Sequence, residues 1–272
     1  MRLVTTAEMR DLEHRAFSRG VSETVLMERA GSGVAHGAAD WLGKVRGRCL
    51  LTLAGSGHNG GDAIIATRVL RLEYGAEPRL FLTADRGADP LLEWARQAGI
   101  PLTTMDAADG GLETLRRWIA EADIVLDGVL GIGGRLPLHG HIAAVLQACR
   151  DVAPRRQRRI AVDVPTGVQS DTGQADERAF RAQLTLATGP AKPGLFIHPG
   201  AEHAGRVRAV DIGVAATDEA PPVMRLEATA VARALPQRPD DSHKGTYGKV
   251  LVVAGSASYV GAAYLAGAAA VR

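Results

Sequence analysis

The segment Gly55-Ser56-Gly57-His58-Asn59-Gly60-Gly61-Asp62 contains four glycines within seven residues. It follows an apolar run at residues 49–54 and precedes a helical pattern that starts at Asp62. Glycine is costly inside a regular element, so the glycines here indicate a sharp turn or a close approach of the backbone. A strand, a glycine-rich turn and the start of a helix leave N–H groups unpaired, and such a site binds anions. The stretch therefore predicts an α/β fold with a ligand at this turn.

Asp62 admits two interpretations. A carboxylate repels a phosphate, so its presence in the turn indicates recognition of a hydroxyl or amide group beside the anion, or acid–base chemistry. The alternative is structural, with Asp62 capping the N-terminus of the helix after an ordinary turn. Both interpretations stay open at this point.

The composition is that of an ordinary globular protein, with 46% hydrophobic and 23% charged residues in a chain of 272. A net charge of +2 gives no strong field toward nucleic acid or a membrane surface, so neither is an expected partner. Cys49 and Cys149 lack metal-ligand spacing and indicate reduced thiols. No apolar run reaches the ~20 residues of a membrane span, and residues 1–4 do not open a signal peptide. We therefore expect a cytoplasmic protein.

Short apolar runs alternate with helical patterns along most of the chain. The predicted strands are 49–54, 79–83, 124–127, 160–164, 184–187, 207–212 and 249–254. The predicted helices are one that begins with a capping box at Thr5 and Glu8, then 25–41, 62–73, 90–98, 112–120, 141–148 and 175–181. This alternation predicts an α/β fold with a Rossmann-like, doubly wound, mainly parallel sheet and helices on both faces. In such sheets, ligands bind beyond the carboxyl ends of the strands.

A polar, proline-bearing segment at residues 216–222 marks a change in organisation. We expect a first domain over residues 1–215, a linker with an entry helix over residues 216–241, and the start of a second domain over residues 242–272. The elements predicted after residue 242 are one strand, one glycine turn and one alanine-rich helix. Since a domain normally needs ~50 residues or more, we expect them to be the first piece of a longer domain.

Three further motifs follow predicted strands at their carboxyl ends. They are residues 127–135 (DGVLGIGGR), 163–167 (DVPTG) and 188–194 (TGPAKPG). A single aspartate after a strand is more often part of a turn or a helix cap than a catalyst. Together, however, the motifs place Asp62, Asp127, Asp163 and Lys192 around one crevice.

Several carboxylates in one crevice repel one another unless a cation offsets them. Oxygen atoms of Asn59, Asp127 and Thr166 suit a hard cation, and Lys192 can pair with Asp163 or with a phosphate of the substrate. The sequence lacks a His/Cys cluster for zinc, a Gly-x-Ser-x-Gly elbow, the P-loop lysine and the usual dinucleotide fingerprint. Serine-hydrolase, NTPase and dehydrogenase functions are therefore disfavoured.

These motifs, together with residues 26–31 (LMERAG), resemble the NAD(P)HX epimerase family, the YjeF N-terminal domain. The resemblance covers about residues 3–214, with the motifs in the order of the family. The segment from Ser242 to Gly248 and the segment from Gly255 to Ala263 resemble the opening of the ADP-dependent NAD(P)HX dehydratase, a ribokinase-like domain. The two domains occur fused in bacterial repair enzymes, so the resemblance implies such a protein cut short.

The resemblance implies repair of a damaged nicotinamide cofactor. The family's substrates are the hydrates of NADH and NADPH (NADHX and NADPHX), and the epimerase interconverts their R and S forms. The full-length bifunctional protein would also dehydrate the S form with ADP (or ATP). The downstream elements of the dehydratase are absent here, so that second activity is expected to be incomplete in this chain.

The resemblance also implies residue roles. It implies Asp163 as the acid–base residue, with Lys192 as its helper, and a potassium ion held by Asn59, Asp127 and Thr166. The implied substrate-binding residues are His58, Asn59, Gly60, Gly61, Asp62, Gly131, Ile132, Gly133, Gly134, Arg135, Leu136, Pro137 and Asp163. The potassium ion would offset the crowded carboxylates.

The sequence departs from the family motifs at four positions. His58 replaces an asparagine, Ala63 a glycine, Ile132 a threonine and Thr166 a serine. Histidine can still form a hydrogen bond but is bulkier and titrates near neutral pH, and the loss of a threonine at position 132 removes a hydroxyl from the phosphate loop. None of the four changes removes a charged candidate.

Two other functions compete with the epimerase. One is a non-catalytic dinucleotide-binding or scaffold module of the same fold, and the other is a different nucleotide-sugar or dinucleotide enzyme on the same sheet. Retention of the four charged candidates favours the enzyme. The predicted helix 25–41 is rich in small residues and could pack against a second subunit, so a homo-oligomer is one option.

Overall fold

The computed structural model describes residues 1–106, 111–152, 154–214, 223–237, 239–243 and 245–271. These residues form two compact units, Met1–Arg225 and Leu226–Arg272. The start of the predicted linker, residues 216–222, lies outside the described residues, as does Lys244 of the tail motif. The predicted domain boundaries at 215 and 241 stay predictions.

The first unit is built on a parallel sheet. Its strands are β1 (Cys49–Ala54), β2 (Glu77–Leu82), β3 (Leu102–Thr104), β4 (Ile124–Gly128), β5 (Arg158–Val162), β6 (Leu184–Thr188) and β7 (Arg206–Val210). They are ordered β3-β2-β1-β4-β5-β6-β7, and every neighbouring pair is parallel. The chain winds outward from β1 in one direction and from β4 in the other, so the predicted doubly wound sheet is confirmed.

Helices cover the sheet on both faces. They are α1 (Thr6–Ser18), α2 (Glu23–Leu42), α3 (His58–Leu72), α4 (Pro90–Gln97), α5 (Gly111–Glu121), α6 (Gly140–Asp151) and the short α7 (Gly200–Ala204). Successive strand residues point to opposite faces, so Leu50 packs with α2 and α3, whereas Leu51 packs with α5 and α6. The predicted capping box at Thr5 is present and starts α1.

The small residues of α2 are used for packing within the chain. A Cβ atom added at Gly33 would lie 2.2 Å from Val210, and one added at Gly37 would lie 2.8 Å from Leu186. A Cβ atom at Gly31 would lie 2.5 Å from Ile65 of α3. These glycines therefore let α2 approach its own sheet and α3, and a second subunit is not needed to explain them.

The predicted helix 175–181 is wrong. Ala175 instead forms a bridge with Val168, and no helix follows. The Asp176 carboxylate accepts hydrogen bonds from two backbone N–H groups, that of the nearby Arg178 and that of Leu138, which is distant in sequence. A side chain that satisfies N–H groups in this way competes with helix formation, which is why the apparent helical period was misleading.

Three short elements lacked a period long enough to be predicted: β3, α7 and a 3-10 turn at Pro193–Leu195. Among the described residues, no helix is both long and apolar enough to cross a membrane.

The second unit contains α8 (Ala228–Ala234) and α9 (Gly261–Ala270). The helix predicted after the glycine turn is thus present, but the strand predicted at residues 249–254 is wrong, since the structure has no strand there. A strand needs a neighbour for its N–H and C=O groups, and the described part of this unit supplies none.

The order of the strands fixes where a ligand can enter. The connections from β1 and β4, which are neighbours in the sheet, lead to opposite sides. A crevice opens at such a switch point, outside the carboxyl ends of the strands. The glycine-rich stretch follows β1. Asp127 lies in β4, and the loop that contains Gly131 to Gly134 follows this strand.

Candidate functional site

A cavity of about 890 Å³ lies at the carboxyl ends of the strands in the first unit. Its volume falls within the range of small-molecule sites. Residues from α1 and α2 complete its wall. The predicted site residues that line it are His58, Asn59, Asp62, Gly131, Ile132, Gly133, Gly134, Asp163 and Lys192.

The glycine-rich stretch forms the turn from β1 into α3. Helix α3 begins at His58, and its N-cap is Gly57, which supplies no side-chain hydrogen bond. The structural interpretation of Asp62 as the helix cap is therefore wrong. The N–H groups of His58, Asn59 and Gly60 have no helical acceptor and donate to no described residue. This end of the helix is thus available to an anion.

Two of the glycines are required by close backbone contacts. A Cβ atom at Gly60 would lie 2.0 Å from the carbonyl oxygen of Gly55, and one at Gly55 would lie 2.0 Å from the carbonyl oxygen of Val129. The loops after β1 and β4 therefore contact each other through their backbones. A side chain at Gly55 would prevent this contact. Asp62 and the loop at residues 131–134 consequently face one cavity.

Arg86, in the connection between β2 and α4, holds this turn from behind. Its guanidinium donates to the carbonyl oxygens of Gly55 and Gly57, and its Nε donates to Asp89 Oδ2 at 2.6 Å. Asp89 also caps α4 through the N–H of Leu91. Arg86 was not predicted, because nothing in the sequence connects it with a loop about thirty residues away.

Asp163 and Lys192 form a buried ion pair on the cavity wall. Lys192 Nζ lies 2.5 Å from Asp163 Oδ1 and donates to the carbonyl oxygen of Thr188 at 3.0 Å. The same Oδ1 accepts from the N–H of Thr188. Only 1% of the Lys192 side chain and 8% of the Asp163 side chain are exposed. Asp163 has φ 62°, a conformation that L-residues rarely adopt.

Asp62 faces this ion pair from α3. Its carboxyl group makes no hydrogen bond to a described residue, although the residue is only 8% exposed. Burial raises the pKa of Asp62 well above its usual value, and the charges of Asp163 and Glu13 raise it further, while Lys192 acts in the opposite direction. Burial also raises the pKa of Glu13, a cavity residue from α1. The cavity thus combines a paired carboxylate with two carboxyl groups whose pKa is raised.

Asp127 and Thr166 lie behind the cavity wall and do not line it. Asp127 accepts from the Thr166 hydroxyl at 2.7 Å, from the Thr166 N–H at 2.8 Å and from the Val129 N–H. The Thr166 hydroxyl in turn accepts from the N–H of Leu130 at 3.0 Å. Burial raises the pKa of Asp127 to about 6, against these hydrogen bonds. The pair fixes the start of the loop after β4.

Asn59 stands out among the cavity residues because its amide is buried, and neither Oδ1 nor Nδ2 has a hydrogen-bond partner among the described residues. The amide lies against Gly131, where an added Cβ atom would come within 3.4 Å of Asn59 Oδ1. A buried polar group without a partner costs about 1–3 kcal/mol, so this amide is suited to a ligand. Within the described residues, no cluster of three His, Cys, Asp or Glu side chains could hold a metal ion.

The structure does not bring every predicted residue to the cavity. Gly60 and Gly61 pack inside the protein, Gly60 against the Gly55 carbonyl and Gly61 against Met27. The remaining three, Arg135, Leu136 and Pro137, follow the cavity loop but do not line it.

A family comparison decides the relationship of the chain. The model of the family described as YjeF-related protein N-terminus matches residues 23–194. The chain belongs to this family. The predicted family relationship is therefore confirmed, and the match contains the glycine-rich turn, Asp127, Asp163 and Lys192.

Relatives of this YjeF N-terminal chain include two proteins named bifunctional NAD(P)H-hydrate repair enzyme Nnr. The protein of Moorella thermoacetica is 35% identical over 282 residues, covering 100% of this chain and 52% of the relative. That of Thermofilum pendens is 34% identical over 271 residues, covering 97% of this chain and 50% of the relative. The chain thus spans about half the length of these relatives.

One solved structure supports the YjeF N-terminal fold directly. The yeast protein ynu0 (YNL200c) superposes with a TM-score of 0.65 and 21% sequence identity, over 77% of this chain and 87% of that one. At this identity the likeness concerns the fold alone.

At two positions where this YjeF N-terminal chain departs from the family motifs, the structure shows what the new residue contacts. His58 Nε2 lies 2.7 Å from Glu23 Oε1 of α2, and both side chains are largely exposed. Ala63 packs under β4, where a Cβ atom added at Gly128 would lie 2.3 Å from its methyl group. The larger residue at position 63 is therefore accommodated by a glycine opposite it.

The cavity residues that α1, α2 and the start of α6 provide were not predicted from the sequence. They include Arg10, Glu13, His14, Phe17, Glu23, Met27, His139 and His141. The helical period identified the buried face of α1 but gave no indication that the next face covers a ligand site.

Proposed function

We propose that the first unit epimerises the R and S hydrates of NADH and NADPH, as an NAD(P)H-hydrate epimerase. The observation that carries the proposal is the buried Lys192–Asp163 ion pair beside Asp62 on the wall of the cavity. A scaffold would gain little from a buried charge pair and a nearby carboxyl group, since both are expensive to remove from water. The names of the relatives support the same substrate class.

The substrate is a dinucleotide, and the cavity offers matching ends. Its pyrophosphate would lie at the N-terminus of α3, against the N–H groups of His58, Asn59 and Gly60. The loop at residues 131–134 would contact the phosphates from the other side. The hydrated nicotinamide would then reach Asp163 and Lys192. In this orientation the phosphates stay apart from the Asp163 carboxylate, which would repel them.

The proposed epimerisation needs only modest acid–base catalysis. The reacting carbon bears both nitrogen and a hydroxyl group, so loss of the hydroxyl leaves a positive charge that the nitrogen shares. The raised pKa of Asp62 favours its protonated form, which can donate a proton to the departing hydroxyl. The Asp163 carboxylate, held in place by Lys192, can stabilise the positive charge and take up the proton that water releases as it adds to the other face, and exchange with solvent then returns both carboxyl groups to their starting states.

We propose that a potassium ion supports this arrangement. The fit rests on Asn59, whose buried amide oxygen has no described partner, and on a donor set made only of oxygen atoms. Asn59, Asp127 and Thr166 would hold the ion, which supplies positive charge next to the carboxylates. Thr166 and Asp127 also order the loop against which Asn59 lies.

Potassium binding can be tested through stability, without an activity assay. The free energy of unfolding is expected to be higher in potassium chloride than in choline chloride at equal ionic strength, because a ligand of the folded state stabilises it. The variant Thr166→Val should lose this difference, whereas the matched control Thr172→Val on an exposed turn should keep it. An equal response in all three proteins contradicts the potassium site.

For the whole protein we propose a second step, dehydration of the S hydrate with ADP or ATP, on a domain that begins with residues 242–272. The setting we propose is the cytoplasm, in keeping with Cys49 and Cys149, which are both free thiols. NADHX and NADPHX are the proposed partners of the cavity.

The epimerase is tested by adding pure R and S hydrates and following their interconversion against the spontaneous rate. The variant Asp163→Asn should lower the rate by about 10²–10⁴-fold, the usual contribution of acid–base catalysis. The matched control Asp211→Asn changes an exposed carboxylate and should leave the rate unchanged. Binding of the hydrates without acceleration by the unmodified protein would instead indicate a dinucleotide-binding module. An unaffected Asp163→Asn variant would indicate a different reaction centre.

A further inference from the structure

A second cavity, of about 420 Å³, lies between α6, β5 and the segment that precedes β6. We call it the arginine cavity, because Arg150 of α6, Arg159 of β5, and Arg178 and Arg181 of the segment before β6 line it. Glu177 is the single acidic residue of its lining. Strand β5 thus carries Arg159 near its start, whereas Asp163 of the main cavity directly follows its end.

Two of the four arginines already have partners. Arg178 pairs with Asp176, its Nε donating at 2.9 Å, and also donates to the carbonyl oxygen of Leu138. Arg150 donates to the carbonyl oxygen of Glu177 at 2.6 Å. These contacts hold the wall of the arginine cavity in place. The charge of Arg178 is balanced by the carboxylate of Asp176.

Arg159 and Arg181 differ, because their guanidinium groups make no hydrogen bond or ion pair to any residue that the structure describes. Arg159 stacks on the ring of Phe180, with its central carbon 4.3 Å from the ring centroid. Its Nε is buried and has no described acceptor. Burial lowers the pKa of Arg159, with the Cys149 thiol and Asp127 acting in the opposite direction.

A buried guanidinium nitrogen without an acceptor is costly, so the arrangement fits a ligand that brings acceptor oxygens. We propose that the arginine cavity binds the phosphate group of a small molecule through Arg159 and Arg181. A phosphate offers three acceptor oxygens and up to two negative charges, so it can pair with more than one guanidinium. The cavity is larger than the phosphate ion and has room for a small ester.

Binding to this site is independent of the proposed epimerase and can be tested by calorimetric titration of the full chain at constant ionic strength. The probes are glycerol phosphate, inorganic phosphate and, as a carboxylate, acetate. The double variant Arg159→Gln/Arg181→Gln should weaken one phosphate site by about tenfold or more, since hydrogen bonds to charged groups are lost. The control Arg155→Gln removes an exposed charge without a described partner and should leave the affinity unchanged.

The two phosphate probes distinguish the source of the group, because an ester that binds more tightly than the free ion uses the rest of the cavity. If Arg159→Gln prevents folding, Arg181→Gln alone carries the test, since Arg181 is exposed and its replacement leaves the packing intact. Absence of a saturable phosphate site, an equal loss in Arg155→Gln, or acetate binding as tight as phosphate binding would each overturn the proposal.

Discussion

Lys192 Nζ lies 2.5 Å from Asp163 Oδ1, and the two side chains are among the most buried charged groups that the structure describes. The pair connects the residue that follows β5 with the segment that follows β6. Burying either charge alone would be strongly unfavourable, whereas burying both in contact is tolerable. Their contact therefore lets a carboxylate persist at a water-poor cavity wall.

The ion pair predicts a characteristic pattern of stability. Lys192→Met should lower the free energy of unfolding by about 3–5 kcal/mol, because it leaves the buried Asp163 carboxylate without its cationic partner. The double variant Asp163→Asn/Lys192→Met should recover most of that loss. Urea unfolding of the two single variants and the double variant measures the coupling. The exposed pair Arg96–Glu93, 3.9 Å apart, is the control, and its coupling energy should be below ~1 kcal/mol. Additive losses at Asp163 and Lys192 would contradict the interpretation.

The raised pKa of Asp62 predicts the direction of a pH effect. A carboxyl group whose folded pKa lies above its unfolded value stabilises the fold fully below about pH 4, and this contribution is lost as pH rises through the folded pKa. Burial, Asp163 and Glu13 cause the rise, against Lys192. The variant Asp62→Asn lacks this ionisable group. Its free energy of unfolding, relative to that of the unmodified protein, should therefore increase with pH. Unfolding measured from about pH 5 to pH 8 tests this, and a constant difference would contradict it.

The contacts of Arg86 predict a positioning role. Arg86→Met removes the donor that holds the carbonyl oxygens of Gly55 and Gly57, so the N-terminus of α3 should bind the dinucleotide less well. We expect KM to rise about tenfold, with a smaller change in kcat, since the lost interaction concerns binding. The control Arg96→Met lies on the exposed side of α4 and should leave KM unchanged. A change confined to kcat would contradict the role.

The close contact at Gly60 predicts a steric effect that Gly133 should lack. Gly60→Ala places a methyl group 2.0 Å from the Gly55 carbonyl oxygen and should lower the free energy of unfolding by about 1–3 kcal/mol. Gly133→Ala lies in the cavity loop with nothing within 4 Å and should change stability by less than about 0.5 kcal/mol. Thermal unfolding of both variants makes the comparison. Equal effects would show that the turn relaxes.

Much of the fold could be predicted from the sequence, because β1, β4 and β6 are nearly continuous in apolar residues and each polar motif follows a strand. The parallel arrangement then brings Asp62, Asp163 and Lys192 to one cavity without any further information. The separate position of Asp127 could not be predicted, since its three hydrogen bonds to Thr166 and Val129 depend on how two loops meet.

Other features were missed for specific physical reasons. Glu13 reaches the cavity through the packing angle of α1, which the helical period does not determine. Arg86 acts on backbone carbonyl groups, and backbone acceptors leave no trace in a sequence. The predicted helix 175–181 failed because Asp176 satisfies N–H groups that a helix would otherwise have used.

The φ of 62° at Asp163 has a consequence for any redesign of this protein. Among the described residues, Asp163 is the single non-glycine with a positive φ, a conformation that glycine and asparagine adopt more easily. A design procedure that optimised stability alone would replace the aspartate with one of them and Lys192 with an apolar residue. Thermostabilised variants obtained in that way would keep the fold and lose the reactive carboxylate, so this position must be held constant from the start.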